Sequence, residues 1–291
     1  MLARSLVVTV LLSVASTFIS AQSAFPDRCP DNRPLPFAAI QVKHPIDGTC
    51  GIEGRKDAPD PIRLQNSVKN NFCAAQNGPP ETFTPQMLID LQKNTHAATG
   101  TGKEPADRKE LRGLGEGKVI RMKASLIEAH FADVGAGERV NCNQPKEEDN
   151  DIHIAFGDRP DTPECASVTG EISPHFRPES WSQIGNFEKP DPTAKKDAGN
   201  QGISAKLQAQ PLRITGQLFF DSSHAPCPCG TKCNPSRSSD WEIHPIYNVE
   251  VCKAGSPCDV NNDGDWIAFD AWWKSEGSKG SGSSPQRTRS R

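Results

Sequence analysis

The stretch Trp241-Glu-Ile-His-Pro-Ile-Tyr-Asn-Val-Glu-Val251 decides the fold, because most of its apolar residues fall at every second position. An alternation of apolar and polar residues is typical of a strand with one face in a core and the other outside it. Four earlier segments have the same period of two. Their apolar positions are Ile120, Met122, Ala124 and Leu126; Ile152, Ile154 and Phe156; Ala166, Val168 and Ile172; and Leu212, Ile214, Leu218 and Phe220.

The order of elements is three strands, a partly helical connection that includes Pro178-Glu-Ser-Trp181, and two more strands. This order resembles the OB fold, a five-stranded Greek-key barrel that often carries a helix between strands three and four. We therefore predict a mainly β protein, with a five-stranded OB-like Greek-key barrel, a small helical N-terminal part and disulfides. The resemblance implies a binding surface on the outer face of strands two and three, between the loops that join strands 1–2 and 4–5.

Four stretches also resemble a recurrent pattern of exported bacterial proteins to which no activity is assigned. They are Asp151-Ile-His-Ile154, Gly170-Glu-Ile-Ser-Pro174, Arg213-Ile-Thr-Gly-Gln-Leu218 and Trp241-Glu-Ile-His-Pro245. This second resemblance implies export, but it implies no particular reaction.

The N-terminal residues independently predict export. Arg4 is a short positive region, residues 6–19 are almost wholly apolar or small, and residues 21–24 offer small side chains for cleavage. These features are typical of a secretory signal peptide, and an uncleaved membrane anchor is the alternative. No later stretch is apolar enough to cross a bilayer, so we expect a periplasmic or extracellular mature chain without a membrane span.

The ten cysteines of the chain are an even number, which favours disulfides in an exported protein. The cluster Cys227-Pro-Cys-Gly-Thr-Lys-Cys233 has some likeness to a metal knuckle, but it lacks the usual spacing of a zinc site. We interpret it as a loop held by disulfides. The connectivity does not follow from the spacing.

The chain divides into five predicted segments. They are a signal peptide at 1–24, an irregular and helical region at 25–116, the OB-like barrel at 117–254, a calcium-loop-like segment at 255–274 and a disordered tail at 275–291. Within the second segment, residues 62–73 have helix-like apolar spacing at Ile62, Leu64, Val68 and Phe72. A second helix is predicted to begin at Pro85 with Thr84 as its N-cap, and to bury Met87, Leu88 and Leu91.

The outer face of the predicted barrel carries the candidate functional residues. Side chains that alternate with the core positions of strands two, three and five point away from the core. Because strand three lies between strands two and five in an OB barrel, these side chains should share one surface. They are Asp151, His153, Glu171, Glu242 and His244.

Two interpretations of this surface are open. In one, His153, Glu171 and His244 hold a transition-metal ion, while Glu242 or Asp151 acts as a general base. In the other, the same residues form cross-strand polar pairs that contribute about 0.2–1 kcal/mol each without any chemistry. No fixed metal-ligand motif such as HExxH is present, and neither are a Walker loop, GxGxxG or GxSxG.

The charge of the barrel segment argues against direct contact with nucleic acid. Between Lys118 and Lys253 there are 15 Lys and Arg against 19 Asp and Glu, a net charge of −4. Nucleic-acid binders normally carry a basic patch, since phosphate contacts dominate their affinity. Nucleic acid is therefore an unlikely partner for this face without a bridging metal ion.

The segment Asp259-Val-Asn-Asn-Asp-Gly-Asp-Trp-Ile-Ala-Phe-Asp270 follows the spacing of an EF-hand loop. It resembles the calcium loop of dockerin modules, in which Asp at the last position is familiar. The predicted ligands are Asp259, Asn261, Asp263, Asp265 and Asp270. A solvated turn closed by a Cys252–Cys258 disulfide is the alternative. If calcium binds here, we expect its role to be structural.

These observations leave two main classes of function. The first is an exported binding or accessory protein, whose unidentified ligand meets the outer face of the barrel. The second is a metal-dependent hydrolase, a phosphodiesterase or nuclease, with its site on the same face. Side-chain direction separates them, because convergence of His153, Glu171 and His244 on one point favours the hydrolase. A purely structural envelope protein is a third possibility, and the sequence does not determine the oligomeric state.

Overall fold

The computed structural model describes most of the chain after the predicted signal peptide. The described residues are 43–44, 48–71, 79–97, 99, 105, 107–132, 138–175, 177–186, 206–232 and 236–280, with the backbone alone for 277–280. The predicted signal peptide at 1–24 lies outside them, as do residues 281–291 of the predicted tail.

Seven strands and four α-helices make up the regular structure of these residues. The strands are β1 (Glu81–Phe83), β2 (Val119–Phe131), β3 (Ile152–Gly157), β4 (Val168–Ile172), β5 (Leu212–Phe220), β6 (Trp241–Cys252) and β7 (Trp266–Ala268). The helices are α1 (Asp60–Lys69), α2 (Pro85–Lys93), α3 (Lys109–Leu114) and α4 (Phe269–Gly280). A 3₁₀ helix, Glu179–Asn186, lies in the connection between β4 and β5.

Five of the strands close into a barrel. β2 pairs with β3, β3 with β4, and β5 with both β6 and β2, all antiparallel. β4 pairs with β6 in parallel and so lies between β3 and β6, as strand three does in an OB barrel. The predicted fold class is therefore confirmed. The short strands β1 and β7 extend the sheet from β2 and β6.

The predicted alternation places the core correctly in four of the five barrel strands. The inward positions of β2, β3, β4 and β5 named above are buried in one apolar cluster, except Ala166, which precedes β4 in a short 3₁₀ turn. In β6 the alternation changes sides. Ile243 pairs with Leu218 but Ile246 pairs with Gly216, so β6 has one residue more than β5 between these pairs. Ile246 therefore joins the core instead of Tyr247, whose hydroxyl donates to the carbonyl of Asn71 at 2.7 Å. A second extra residue, between Ile246 and Asn248, returns Val249 and Val251 to the core.

The helix α1 differs from its predicted packing in a way that matters for the site. Its buried residues include Gln65, Asn66 and Lys69, whereas Leu64 and Val68 are only half-buried. The expected apolar face is therefore wrong for α1, apart from Ile62, because the surface beneath this helix is itself polar. Phe72 lies outside the described residues.

The helix α2 begins as predicted, since the Thr84 hydroxyl accepts from the backbone N–H of Met87 at 3.2 Å. Leu88 is fully buried and Leu91 packs against the core. Met87, in contrast, is an exposed side chain, so its predicted burial is wrong.

Three disulfides join described cysteines: Cys50–Cys142, Cys165–Cys229 and Cys252–Cys258. Cys227 is also disulfide-bonded, so neither Cys227 nor Cys229 can belong to a metal knuckle. The first disulfide ties the β2–β3 loop to the segment before α1, and the second ties the β3–β4 loop to the β5–β6 loop. Such bonds fit an oxidising compartment.

The C-terminal segment packs back on the barrel. Phe269 and Trp272 of α4 belong to the core cluster, and α4 extends to Gly280, into the segment predicted as a tail. Among the residues described, none of the helices has the length and apolar character needed to cross a membrane.

Candidate functional site

A layer of buried polar side chains lies on the outer surface of β3, β4 and β6, underneath α1. Lys69 of α1 places its Nζ 3.4 Å from Glu171 Oε2, and Gln65 donates to Asp221 at 3.2 Å. Gln217 of β5 donates to the carbonyls of both Val68 and His244, at 2.8 and 2.9 Å. The outer face that the sequence predicts is therefore covered by protein along β6.

His244 lies at the centre of this layer, with its side chain completely buried. Its Nδ1 is 2.6 Å from Glu171 Oε2 and 3.6 Å from Glu242 Oε1, and its Nε2 is 3.7 Å from Asp151 Oδ2. The ring also packs edge-on against the buried ring of Phe219. Three carboxylates, those of Asp151, Glu171 and Glu242, thus surround the imidazole of His244.

His153 lies at the solvent-facing end of the layer. Its Nε2 is 2.9 Å from Glu138 Oε1 and 3.7 Å from Glu171 Oε1, and its side chain is 30% exposed. His130 packs against it with ring centroids 5.6 Å apart. Glu138 is held in place because its other oxygen accepts from the backbone N–H of Asp151 and from Asn141.

Arg237, from the β5–β6 loop, neutralises part of the negative charge of the buried layer. Its guanidinium contacts Glu242 at 2.9 Å, Asp240 at 3.0 Å and Asp221 at 3.5 Å, all of them buried. Asp221 also faces His224 Nδ1 at 2.7 Å. This part of the layer is a network of ion pairs that fixes the β5–β6 loop to the barrel.

The layer shifts the pKa values of its members strongly. Burial opposes ionisation of His153 and His244, but Glu171 and the other nearby carboxylates outweigh it and raise their pKa values to about 10 and about 9. Burial, followed by repulsion from Glu138, raises the pKa of Asp151 to about 7. Burial would raise the pKa of Glu171 too, but Lys69 and the two histidines hold it well below its usual range. Clusters of perturbed groups of this kind are common at functional sites.

Carboxylates outnumber fixed cations in this connected network. Among the described residues, the ion pairs of this network join two permanent cations, Lys69 and Arg237, to six carboxylates: Glu138, Asp151, Glu171, Asp221, Asp240 and Glu242. Burying unpaired negative charge is costly, so the difference must be offset by protons on histidines or on carboxylates such as Asp151, or by another cation.

Two groups of side chains within the described residues are arranged so that they could hold a metal ion. The first is Glu138, His153 and Glu171; the second is Asp151, Glu171 and His244, which is fully buried. In each group one potential ligand atom from every residue lies within 4.8 Å of the others. Glu171 belongs to both groups and turns a different oxygen to each histidine.

A cavity of about 280 Å³ opens over this layer from the solvent side. Its walls come from the outer face of β2, β3 and β4 and from the β5–β6 loop, where an OB barrel usually binds its ligand. The charged and histidine residues in its walls are Glu128, His130, His153, Glu164, Glu171, Asp221, His224 and Arg237. Asp151 and His244 lie behind these walls and do not line the cavity.

The sequence hypothesis named five residues for this face, and the structure brings all five together. It does not make them one site: His153 and His244 share Glu171 but lie in separate groups, and Glu242 pairs with Arg237. Whether any of them binds a metal or acts as a base stays a prediction.

Sequence reasoning did not find Glu138, Lys69, Arg237 or Asp240. Asp240 precedes Glu242 and His244 by two and four residues, so the alternation that placed those two on the outer face could also have placed Asp240 there. Lys69 was available too, since Gln65, Asn66, Lys69 and Asn70 form a polar stripe at helical spacing. Glu138 and Arg237 lie in irregular loops, where no periodicity indicates direction.

The predicted calcium loop, Asp259–Asp270, lies on another side of the barrel. Asp263 pairs with Arg213 at 2.7 Å, Asp270 accepts from Ser180, and Asp265 accepts from the backbone of Asp259 and from Asn262. Asn261 accepts from Thr82 at 3.0 Å. These loop side chains are thus bound to protein groups, and calcium binding there stays a prediction. The disulfide that belongs to the alternative interpretation, a turn closed by Cys252 and Cys258, is present.

Comparisons of the chain with models of protein families, with curated proteins and with solved structures found no match.

Proposed function

We propose that this chain is an exported binding protein that takes up a small, positively charged ligand in the cavity between β3, β4 and the β5–β6 loop. The observation that carries this proposal is the composition of the cavity wall, in which the described residues include four carboxylates against the guanidinium of Arg237 and the protonated ring of His153. That guanidinium is already paired with three buried carboxylates. An acidic cleft with low-dielectric walls concentrates cations and repels anions.

The size of the cavity supports a small ligand. At about 280 Å³ it lies at the lower limit of the range for small-molecule sites, roughly 300–1,000 Å³. Ser167 lines it, and its buried hydroxyl makes no hydrogen bond in the structure, so a rotation of this side chain would let it orient a ligand. A protonated amine fits both the charge and this hydroxyl acceptor.

Titration of the purified protein with putrescine, a small diamine, tests the proposal. We expect saturable binding, which NMR of the His130, His153 and His224 rings can monitor. The binding should weaken at higher salt. Glu128→Gln removes one charge from the wall and should weaken binding about fivefold, the effect of about 1 kcal/mol. The matched control is Glu147→Gln, an exposed glutamate outside the cavity. No saturable binding, or equal weakening by both variants, contradicts the proposal.

A metal-dependent hydrolase is the second candidate, and the convergence of His153 and His244 on the two oxygens of Glu171 favours it. In a phosphodiester hydrolysis, the oxygen of a water molecule bonds to phosphorus, an ester P–O bond breaks, and a base takes the proton of the water. Asp151 and Glu242 were predicted as bases. Glu242 is paired with Arg237 and Asp151 lies behind the cavity wall, so both base roles stay predictions.

Hydrolysis of bis(4-nitrophenyl) phosphate in the presence of zinc or manganese tests this candidate. The double variant His153→Ala/His244→Ala should lose all metal-dependent activity, whereas His96→Ala, at an exposed histidine away from the cavity, should keep it. Circular dichroism establishes that each variant is folded. A folded double variant that retains the activity refutes the catalytic role of these histidines.

A further inference from the structure

We propose that a divalent transition-metal ion, with zinc as the best chemical match, is bound between Asp151, Glu171 and His244. The ion would lie behind the wall of the cavity, between the barrel and α1. This inference deepens the second candidate function, since it assigns the ligands of the cation, but it does not depend on ligand binding in the cavity. It also differs from the sequence hypothesis, because Asp151 replaces His153 among the ligands.

The first support is the set of buried atoms that lack partners. Both carboxylate oxygens of Asp151 and the Nε2 of His244 are shielded from solvent and make no hydrogen bond. The side chain of Asp151 is 1% exposed and that of His244 is 0% exposed. Buried polar groups almost always make hydrogen bonds, so a carboxylate at this depth that makes none indicates a missing partner.

The second support is geometry. An imidazole binds an ion through one nitrogen, and Asp151 Oδ2 lies 3.7 Å from Nε2 of His244. Glu171 Oε2 lies at the other edge of the ring, 2.6 Å from Nδ1, so the Glu171 carboxylate must turn to reach the same ion. Zinc binds nitrogen and oxygen ligands at about 2.0–2.2 Å, so two of its tetrahedral ligands are separated by roughly 3.3–3.6 Å. Ligand atoms that meet within 4.8 Å can therefore contact one ion after small side-chain adjustments.

The third support is charge. In the part of the chain that the structure describes, the network holds six carboxylates and two permanent cations, and Lys69 occupies the side of Glu171 that faces α1. Protonation of His244 is the alternative way to offset this charge. It leaves Asp151 without a hydrogen bond, however, because 3.7 Å from Nε2 to Oδ2 is too long for one. A metal ion provides a partner for both residues.

The ligand chemistry selects the class of ion. One imidazole and two carboxylates suit zinc and related transition metals, whereas calcium and magnesium prefer oxygen ligands alone. Three protein ligands leave one coordination position open, as in catalytic zinc sites. Glu171 is the ligand that also lines the cavity, so it connects the ion to whatever the cavity binds.

Zinc titration of the chelator-treated full-length protein by calorimetry tests the assignment. We expect about one ion per chain, and the isosteric Asp151→Asn should weaken zinc binding by at least tenfold. The matched control is Asp149→Asn, two residues away, where the carboxylate pairs with His44 outside the layer. His153→Asn should keep the ion. Asp151→Asn binding as tightly as the wild type, or loss of the ion in His153→Asn alone, overturns the assignment.

X-ray absorption of the zinc-loaded wild type provides a test that needs no variant to fold. One imidazole ligand is expected, from His244, whereas two imidazoles would place the ion on His153 as well and refute the proposed set. Absence of zinc binding in the wild type also refutes it. Putrescine titration of the metal-free protein separates this result from the proposed function, since amine binding without zinc binding overturns only the metal site.

Discussion

Asp151→Asn in the metal-free protein should raise stability, and more so at alkaline than at acidic pH. Burial and Glu138 raise the pKa of Asp151 from an ordinary 3.8 to about 7. The folded protein therefore binds a proton at Asp151 between these values, whereas the unfolded chain has already released it. Stability must then fall as pH rises through this window, because the unfolded state binds fewer protons than the folded state.

The magnitude follows from the two pKa values. One pKa unit corresponds to about 1.4 kcal/mol, so the wild type should lose about 3 kcal/mol of unfolding free energy at this group between about pH 4.5 and pH 8. Asn cannot titrate, and the gap between variant and wild type should widen by that amount. Urea unfolding in the presence of a chelator measures it at each pH. A difference in unfolding free energy between variant and wild type that stays constant with pH refutes the reasoning. Zinc should reverse the sign of this difference, because zinc stabilises only the wild type.

Three further predictions concern other parts of the molecule. Replacing Cys50 and Cys142 by Ala removes a disulfide that spans 92 residues, which should lower the unfolding free energy by about 4–5 kcal/mol on a chain-entropy estimate, measured by urea unfolding. Thr84→Ala removes the N-cap of α2 and should cost about 1 kcal/mol by the same assay; an unchanged midpoint would contradict the role of the cap. Millimolar calcium should raise the melting temperature of the wild type more than that of Asp259→Asn in calorimetry, and identical shifts would refute the calcium loop.

The barrel could be predicted because each of its strands has a recognisable local sequence pattern. Ile152, Ile154 and Phe156 alternate with polar residues, and a period of two maps directly onto the inside and outside of a barrel strand. The same logic failed at Ala166, which precedes β4, and at Tyr247, because the extra residues in β6 depend on its pairing with β5 and leave no mark in the alternation. Periodicity within a segment carries no information about its register with a partner.

The candidate site was predictable only in part. Alternation placed His153, Glu171 and His244 outside the core, and they do lie there. It could not show that His244 is sealed beneath α1 while His153 reaches the cavity, since both have the same local pattern. The prediction for helix α1 relied on its apolar residues, although Lys69, on its polar stripe, makes the contact with Glu171.

By itself, the sequence determined the strand order, the inward face of most strands and the N-cap at Thr84, because each depends on residues that are close in the chain. Only the tertiary structure decided that Glu138, Asp151, Glu171 and His244 meet, since they come from a loop and three strand regions separated by up to about a hundred residues. Their spacing depends on strand register, on the disulfide at Cys142 and on the packing of α1. Those long-range interactions turn an ordinary polar barrel face into a buried network with an excess of negative charge.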